Sequence, residues 1–132
     1  MSQQLMNEIN IDKLIKAFGV FERFKTDMIT DRDQAGAVQA FEFCYELAWK
    51  IMKRFLETQG LECGSPKDTF RKAALERIIA DPELWFEFQK KRNLTVHTYE
   101  QENLDIIVSI FDDFSKEINR LIQKLQELQK CK

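Results

Sequence analysis

The residues best equipped for chemistry lie in one stretch, Lys90-Lys91-Arg92-Asn93-Leu94-Thr95-Val96-His97-Thr98-Tyr99-Glu100, which holds the only histidine of the chain. Arg92 offers a planar fork of donors matched to phosphate. His97 is the side-chain type that titrates near neutral pH, and Tyr99 adds a phenolic hydroxyl two residues on. In an unbroken α-helix, five residues turn His97 about 140° away from Arg92 and carry it about 7.5 Å along the axis. A helix break after Arg92 is expected instead. Asn93 tolerates the left-handed conformation that ends helices, and Thr95, Val96 and Thr98 are β-branched residues that favour extended backbone. With that bend, guanidinium, imidazole and phenol face one pocket. The purely structural reading of the same residues has Tyr99 packing the bend and bonding a carbonyl, with His97 satisfying buried backbone.

A second candidate is the polar edge formed by Gln39, Glu42, Glu46, Trp49 and Lys50. Glu42 and Glu46 are one helical turn apart, the spacing of paired carboxylates, and equally that of a solvated face pairing with Lys50. The solvated face is the preferred reading, with a partner-facing or supporting role as the alternative. No metal site is expected, because the single histidine is remote and no His-x-x-x-His or Glu-x-x-His unit occurs.

The elements that must position these groups are helical throughout. Ile11, Leu14, Ile15, Phe18, Phe21, Met28 and Ile29 give a first amphipathic helix over 11–29, with Gly19 weakening its middle or marking a close helix approach. After the polar break Asp31-Arg32-Asp33-Gln34, Phe41, Tyr45, Ala48, Met52 and Phe55 define a long second helix over 35–56. Its stripe is widened by Val38, Cys44, Leu47 and Ile51, as suits a bundle or a dimer contact. Gln59-Gly60 closes it.

Ser65-Pro66 with Asp68 signals a capped third helix, and Asp81-Pro82 a short fourth one running through Trp85 and Phe88 to Arg92. Those two aromatics are read as core, with base stacking as the sharper alternative. Thr98 and Gln101 suggest the cap of a final helix reaching about Gln129. Its Leu104, Ile107, Phe111, Phe114, Ile118, Leu121, Leu125 and Leu128 follow a seven-residue repeat. The fold class is therefore all-α: an up-and-down four-helix bundle with an additional short helix and a long C-terminal helix, one domain over 1–132.

The formal net charge of -2 in 132 residues demands neither nucleic acid nor an anionic membrane, so any anion site is local. Cys44, Cys63 and Cys131 are odd in number and lack metal-type spacing, which fits a reducing cytoplasm. No apolar run is long enough to cross a bilayer, and Met1-Ser2-Gln3-Gln4 lacks the features of a secretory signal. A cytoplasmic protein without a membrane partner is expected.

Arg92-x-x-x-x-His97-x-Tyr99, closing a short helix before a long one, resembles the HEPN superfamily, and Asn93 is the polar residue commonly found there. Phe41-Glu42-Phe43-Cys44-Tyr45-Glu46-Leu47-Ala48-Trp49-Lys50, Ser65-Pro66 and Leu84-Trp85 resemble one branch, the nucleotidyltransferase substrate-binding protein family, so the resemblance covers nearly the whole chain. It implies a four-helix bundle, usually a homodimer, encoded beside a separate minimal nucleotidyltransferase. In related toxin-antitoxin pairs the HEPN protein is a metal-independent ribonuclease acting through the arginine and histidine, and the nucleotidyltransferase silences it by adenylylating the tyrosine (AMPylation). Carried over, these are Arg92, His97 and Tyr99. ATP and magnesium are then expected on the partner, with no intrinsic cofactor here.

RNA cleavage without metal needs a base for the 2′-hydroxyl, an acid for the leaving oxygen and a cation for the phosphorane. One chain supplies one imidazole, so a ribonuclease site would be made at a symmetric dimer interface. Lys90 and Lys91, with Asn93, would then hold the phosphate backbone, unless the lysines only solvate the helix. With four glycines and no phosphate-cradling loop, the chain is poorly equipped for nucleotide binding alone. Three readings result: a non-catalytic partner of a nucleotidyltransferase, which is favoured; a latent toxin ribonuclease; and a non-catalytic helical dimerisation module.

Overall fold

A computed structural model describes residues 10–130, and these are helical without strands. Helix α1 spans Ile11–Thr26, α2 Asp31–Thr58, α3 Pro66–Leu75, α4 Pro82–Leu94, α5 Gln101–Val108 and α6 Phe111–Lys130, with a 3-10 turn at Thr95–His97. Cys131 and the Met1-Ser2-Gln3-Gln4 start lie outside the described residues.

Each boundary has a local cause. α1 ends at Thr26 rather than at Ile29, and Ile29 stands 86% exposed in the connection. α2 starts at Asp31, ahead of the expected Ala35, because the supposed polar break is itself a cap. The Thr30 hydroxyl accepts from Asp33 N, while the Asp33 carboxylate accepts from Thr30 N at 2.9 Å. That bonding holds the Asp33 carboxyl below its usual range. Gly60, at φ 82, turns the chain out of α2.

Ser65 caps α3 through Asp68 N at 3.2 Å, but the Asp68 carboxylate accepts from Gly64 N and from Lys72, so the reciprocal bond to Ser65 is replaced. Asp81 caps α4 through Glu83 N. Gly19 has nothing within 4 Å of a built Cβ and marks no close approach.

The uninterrupted final helix expected from the heptad repeat is broken at Ser109-Ile110. The Ser109 hydroxyl donates to the Ile106 carbonyl at 2.5 Å, and Ile110 N bonds Ile107 O, one residue tighter than an α-helix. Residues 101–108 thus become the separate helix α5. Its cap position is Glu100 and not Thr98, and no side chain caps it.

The bundle closes by pairing its two outer helices. α6 runs antiparallel along α1, joined by Lys25–Asp112 at 3.0 Å and by the Ser115 hydroxyl donating to Glu22. Between them lies a continuous aromatic core. Phe114 on α6 meets Phe21 of α1 at 5.3 Å, Phe41 of α2 at 4.7 Å and Phe88 of α4 at 5.2 Å, mostly edge to face. Trp85, fully buried, extends the cluster to Phe70 of α3. Its indole Nε1 donates to the buried Glu117 carboxylate at 3.3 Å. Trp85 and Phe88 are therefore core residues, and base stacking by either is ruled out by their burial.

Candidate functional site

α4 leans on α2, and this contact places Arg92. Its Nη1 lies 3.7 Å from Glu42 Oε2 and its Nε 3.5 Å from Glu46 Oε1, so the two acids spaced one turn apart on α2 both face one guanidinium. Glu46 is oriented in turn by Trp49 Nε1, which donates to it at 3.1 Å, and lies 4.0 Å from Lys50. The solvated face pairing with Lys50 is thus present, and it also anchors the arginine. Tyr45 lies beside this group with a buried hydroxyl that has no hydrogen-bond partner. Burial first, then the Glu46 carboxylate, raises its phenol well above the usual tyrosine range, with Arg92 opposing.

The expected bend takes a different form. Asn93 stays in helix α4, exposed, and no residue of the stretch has a left-handed or extended conformation up to Thr98. Instead α4 runs on to Leu94 and tightens into the 3-10 turn. The cause is Thr95: its hydroxyl donates to the Arg92 carbonyl at 2.6 Å and accepts from Arg92 Nη1 at 3.4 Å, so β-branching is outweighed by a local bond that satisfies a helix-end carbonyl. Thr95 is buried, and sequence reasoning missed it. The only signal was a threonine three residues after an arginine at a helix end.

His97 and Tyr99 sit on the exposed turn beyond. Tyr99 is 78% exposed, with its hydroxyl 3.4 Å from His97 Nδ1, so it neither packs the bend nor bonds a carbonyl. Asn103 Nδ2, from α5, donates to the His97 carbonyl at 2.9 Å and steadies the turn. Among the described residues no hydrogen bond or ion pair joins Arg92 to His97. Within one chain the turn pairs His97 with Tyr99, and the Glu42 and Glu46 carboxylates of α2 hold Arg92. Lys90 and Lys91 are both engaged by Glu87, at 3.0 and 3.3 Å, and lower its carboxyl pKa. No cluster of metal-ligating residues occurs among the described residues, and none of the described helices is long and apolar enough to cross a membrane.

Comparison with known proteins decides the family. The model of the family described as nucleotidyltransferase substrate binding protein like matches residues 6–127. This chain belongs to that family. A curated relative, a probable ribonuclease HepT of Haemophilus influenzae, is 36% identical over 105 residues, covering 76% of this chain and 72% of the relative. A solved Haemophilus influenzae structure, described as revealing the fold of a substrate binding domain of a nucleotidyltransferase, superposes with TM-score 0.81 and 33% identity. The match covers 89% of this chain and 99% of that one. A crystal structure from Thermus thermophilus matches with TM-score 0.80 and 26% identity over 86% of this chain and 98% of its own. Both structures share the all-α fold described above.

Proposed function

We propose that this chain is the HEPN-type partner subunit of a separately encoded minimal nucleotidyltransferase, and that Tyr99 is the residue the enzyme adenylylates. The observation that carries this reading is the Tyr99 hydroxyl, exposed on a turn and set 3.4 Å from the only imidazole. A phenol held there is accessible to another protein's active site. In the transfer, the Tyr99 oxygen attacks the α-phosphorus of ATP, the bond to the β-phosphate oxygen breaks, and pyrophosphate leaves. His97 Nδ1 takes the phenolic proton. ATP and magnesium are supplied by the partner.

A composite ribonuclease is the second reading, and two observations favour it over a pure dimerisation module. A relative bears the name probable ribonuclease, and each chain supplies a single histidine, so a base and an acid imidazole need two subunits. Support for a homodimer comes from an apolar groove of about 630 Å³ between α1 and α2, where Phe43 is 63% exposed beside Phe24, Val20 and Leu47. In this reading the pair works in the cytoplasm as a toxin-antitoxin system, and AMP on Tyr99 places a phosphodiester where RNA phosphate would bind.

Intact-mass measurement after incubation with the cognate nucleotidyltransferase, ATP and magnesium tests the first reading. A gain of whole adenylyl units that is lost in Tyr99→Phe supports it, and an unchanged mass overturns it. EDTA-resistant RNA cleavage that vanishes in both His97→Ala and Arg92→Ala supports the ribonuclease, whereas equal cleavage by wild type and both variants refutes it.

A further inference from the structure

A second cluster of cations lies away from the motif, where the α3–α4 connection crosses α6. The cleft there has a volume of about 420 Å³. Arg120 and Lys124 project from successive turns of α6, Arg77 enters from the connection, and Ile78, Ile79 and Leu121 form an apolar floor. One acid lines it, Glu117, and that carboxylate is engaged: Oε1 accepts from Trp85 and Oε2 pairs with Arg120 at 2.9 Å. Neither the Arg77 nor the Lys124 side chain has an ion-pair or hydrogen-bond partner among the described residues, although Lys124 is half-buried. The stem of Lys124 is thus held against the cleft while its ammonium is left available to an anion.

Arg77 adds an independent observation. Its φ is 61, the one left-handed non-glycine residue among those described, at a helix-end position that glycine normally fills. Arg77 N bonds Ala74 O at 3.1 Å and Ile78 N bonds Ala73 O at 2.8 Å, and Ile78 and Ile79 are buried beside it, so the backbone is fixed where the arginine reaches the cleft. A glycine would serve the turn without strain. The arginine side chain is what the turn itself does not need.

We infer that this cleft is a binding site for a small organic phosphate, separate from the Arg92–Tyr99 stretch. The guanidinium of Arg77 and the ammonium of Lys124 take the phosphate oxygens, and the apolar floor takes the carbon body. Glu117 still has lone pairs free to accept from a hydroxyl or amino group of that body. These features together select a sugar phosphate or mononucleotide over inorganic phosphate.

Amide chemical-shift titration of the full chain with AMP, ribose 5-phosphate, inorganic phosphate and adenosine tests the site. Saturable shifts centred on Ile78, Ile79 and Leu121 are expected with AMP or ribose 5-phosphate. Inorganic phosphate should bind at least about tenfold more weakly, and adenosine more weakly still. Lys124→Ala and Arg77→Gly should each weaken binding about tenfold, while Arg77→Gly raises Tm by relieving its backbone. If Arg77→Gly raises Tm without weakening binding, its side chain has no ligand role and the site is refuted. Absence of shifts at these residues at millimolar ligand, or equal binding of adenosine and AMP, also overturns it.

Discussion

Arg92 on α4 reaches Glu46 on α2 with its Nε 3.5 Å from Oε1, so a residue of the expected phosphate site is neutralised in the isolated chain by acids 46 and 50 positions earlier in sequence. Arg92 is 27% exposed and both acids about a third, so the pairs are neither fully solvated nor buried. A double-mutant cycle of Arg92→Ala with Glu46→Ala should give a coupling of about 0.5–1 kcal/mol in urea unfolding that shrinks with added salt. A coupling near zero at low salt would show the contact to be incidental.

The Trp85–Glu117 bond should matter more. Trp85→Phe keeps most of the aromatic packing but removes the indole donor from a carboxylate that is 5% exposed. The expected loss is about 1–3 kcal/mol by chemical denaturation. Trp85→Ala, which also empties the core, should cost about 3–5 kcal/mol. Equal losses in the two variants would assign the role of Trp85 to its hydrogen bond alone.

Cys44 is fully buried, and its thiol is pushed up to about 12, chiefly by burial and then by Glu22. Between the ordinary thiol value of 9.0 and about 12, the unfolded chain has lost a proton that the folded chain keeps. Folding stability contributed here is complete below pH 9.0 and declines as pH rises through that window. A chain in which Cys44 is the sole cysteine should therefore react with a thiol reagent at pH 8 only at the rate of opening. Its Tm should fall less steeply above pH 9 when Cys44 is replaced by Ala.

Gly36→Ala tests the groove between α1 and α2. A Cβ there would come within 2.9 Å of Phe24 Cδ1 and Cζ and still closer to Cε1, so the ring must swing out. Phe24 is 37% exposed, so its ring has solvent to turn into, and alanine in a helix gains about 1 kcal/mol over glycine. Near-neutral stability is expected, and the proposed homodimer contact predicts in addition a shifted dimerisation constant in sedimentation equilibrium. Strong destabilisation would show that Phe24 is held as firmly as the core.

Much of this architecture was legible because it is local. Ser65-Pro66 and Asp81-Pro82 announce their helices through one side chain and one fixed φ, and the spacing of Phe41, Tyr45, Trp85 and Phe88 marks the buried faces. The errors arose where a short bond competed with a propensity. Thr95 forms a 3-10 turn because its hydroxyl reaches the Arg92 carbonyl, and Ser109 interrupts a flawless heptad pattern in the same way. The clamp of Glu42 and Glu46 on Arg92 was illegible for a different reason, since periodicity describes one helix at a time and that contact joins two. Arg77 carried no sign at all, because nothing in an arginine announces a left-handed backbone.

Phe114 touches rings from α1, α2 and α4 at once, and that has a kinetic corollary. The pairing of α1 with α2 closes a connection of a few residues, whereas Phe114 must return across most of the chain to reach Phe21. Loop-closure entropy makes this the late event. The chain should collapse first as an incomplete sheaf with a greasy open flank, and the amphipathic strip of α6 zips that flank shut. Until it does, the aromatic core is half a nest, and that interval is when the nascent protein is most exposed to aggregation.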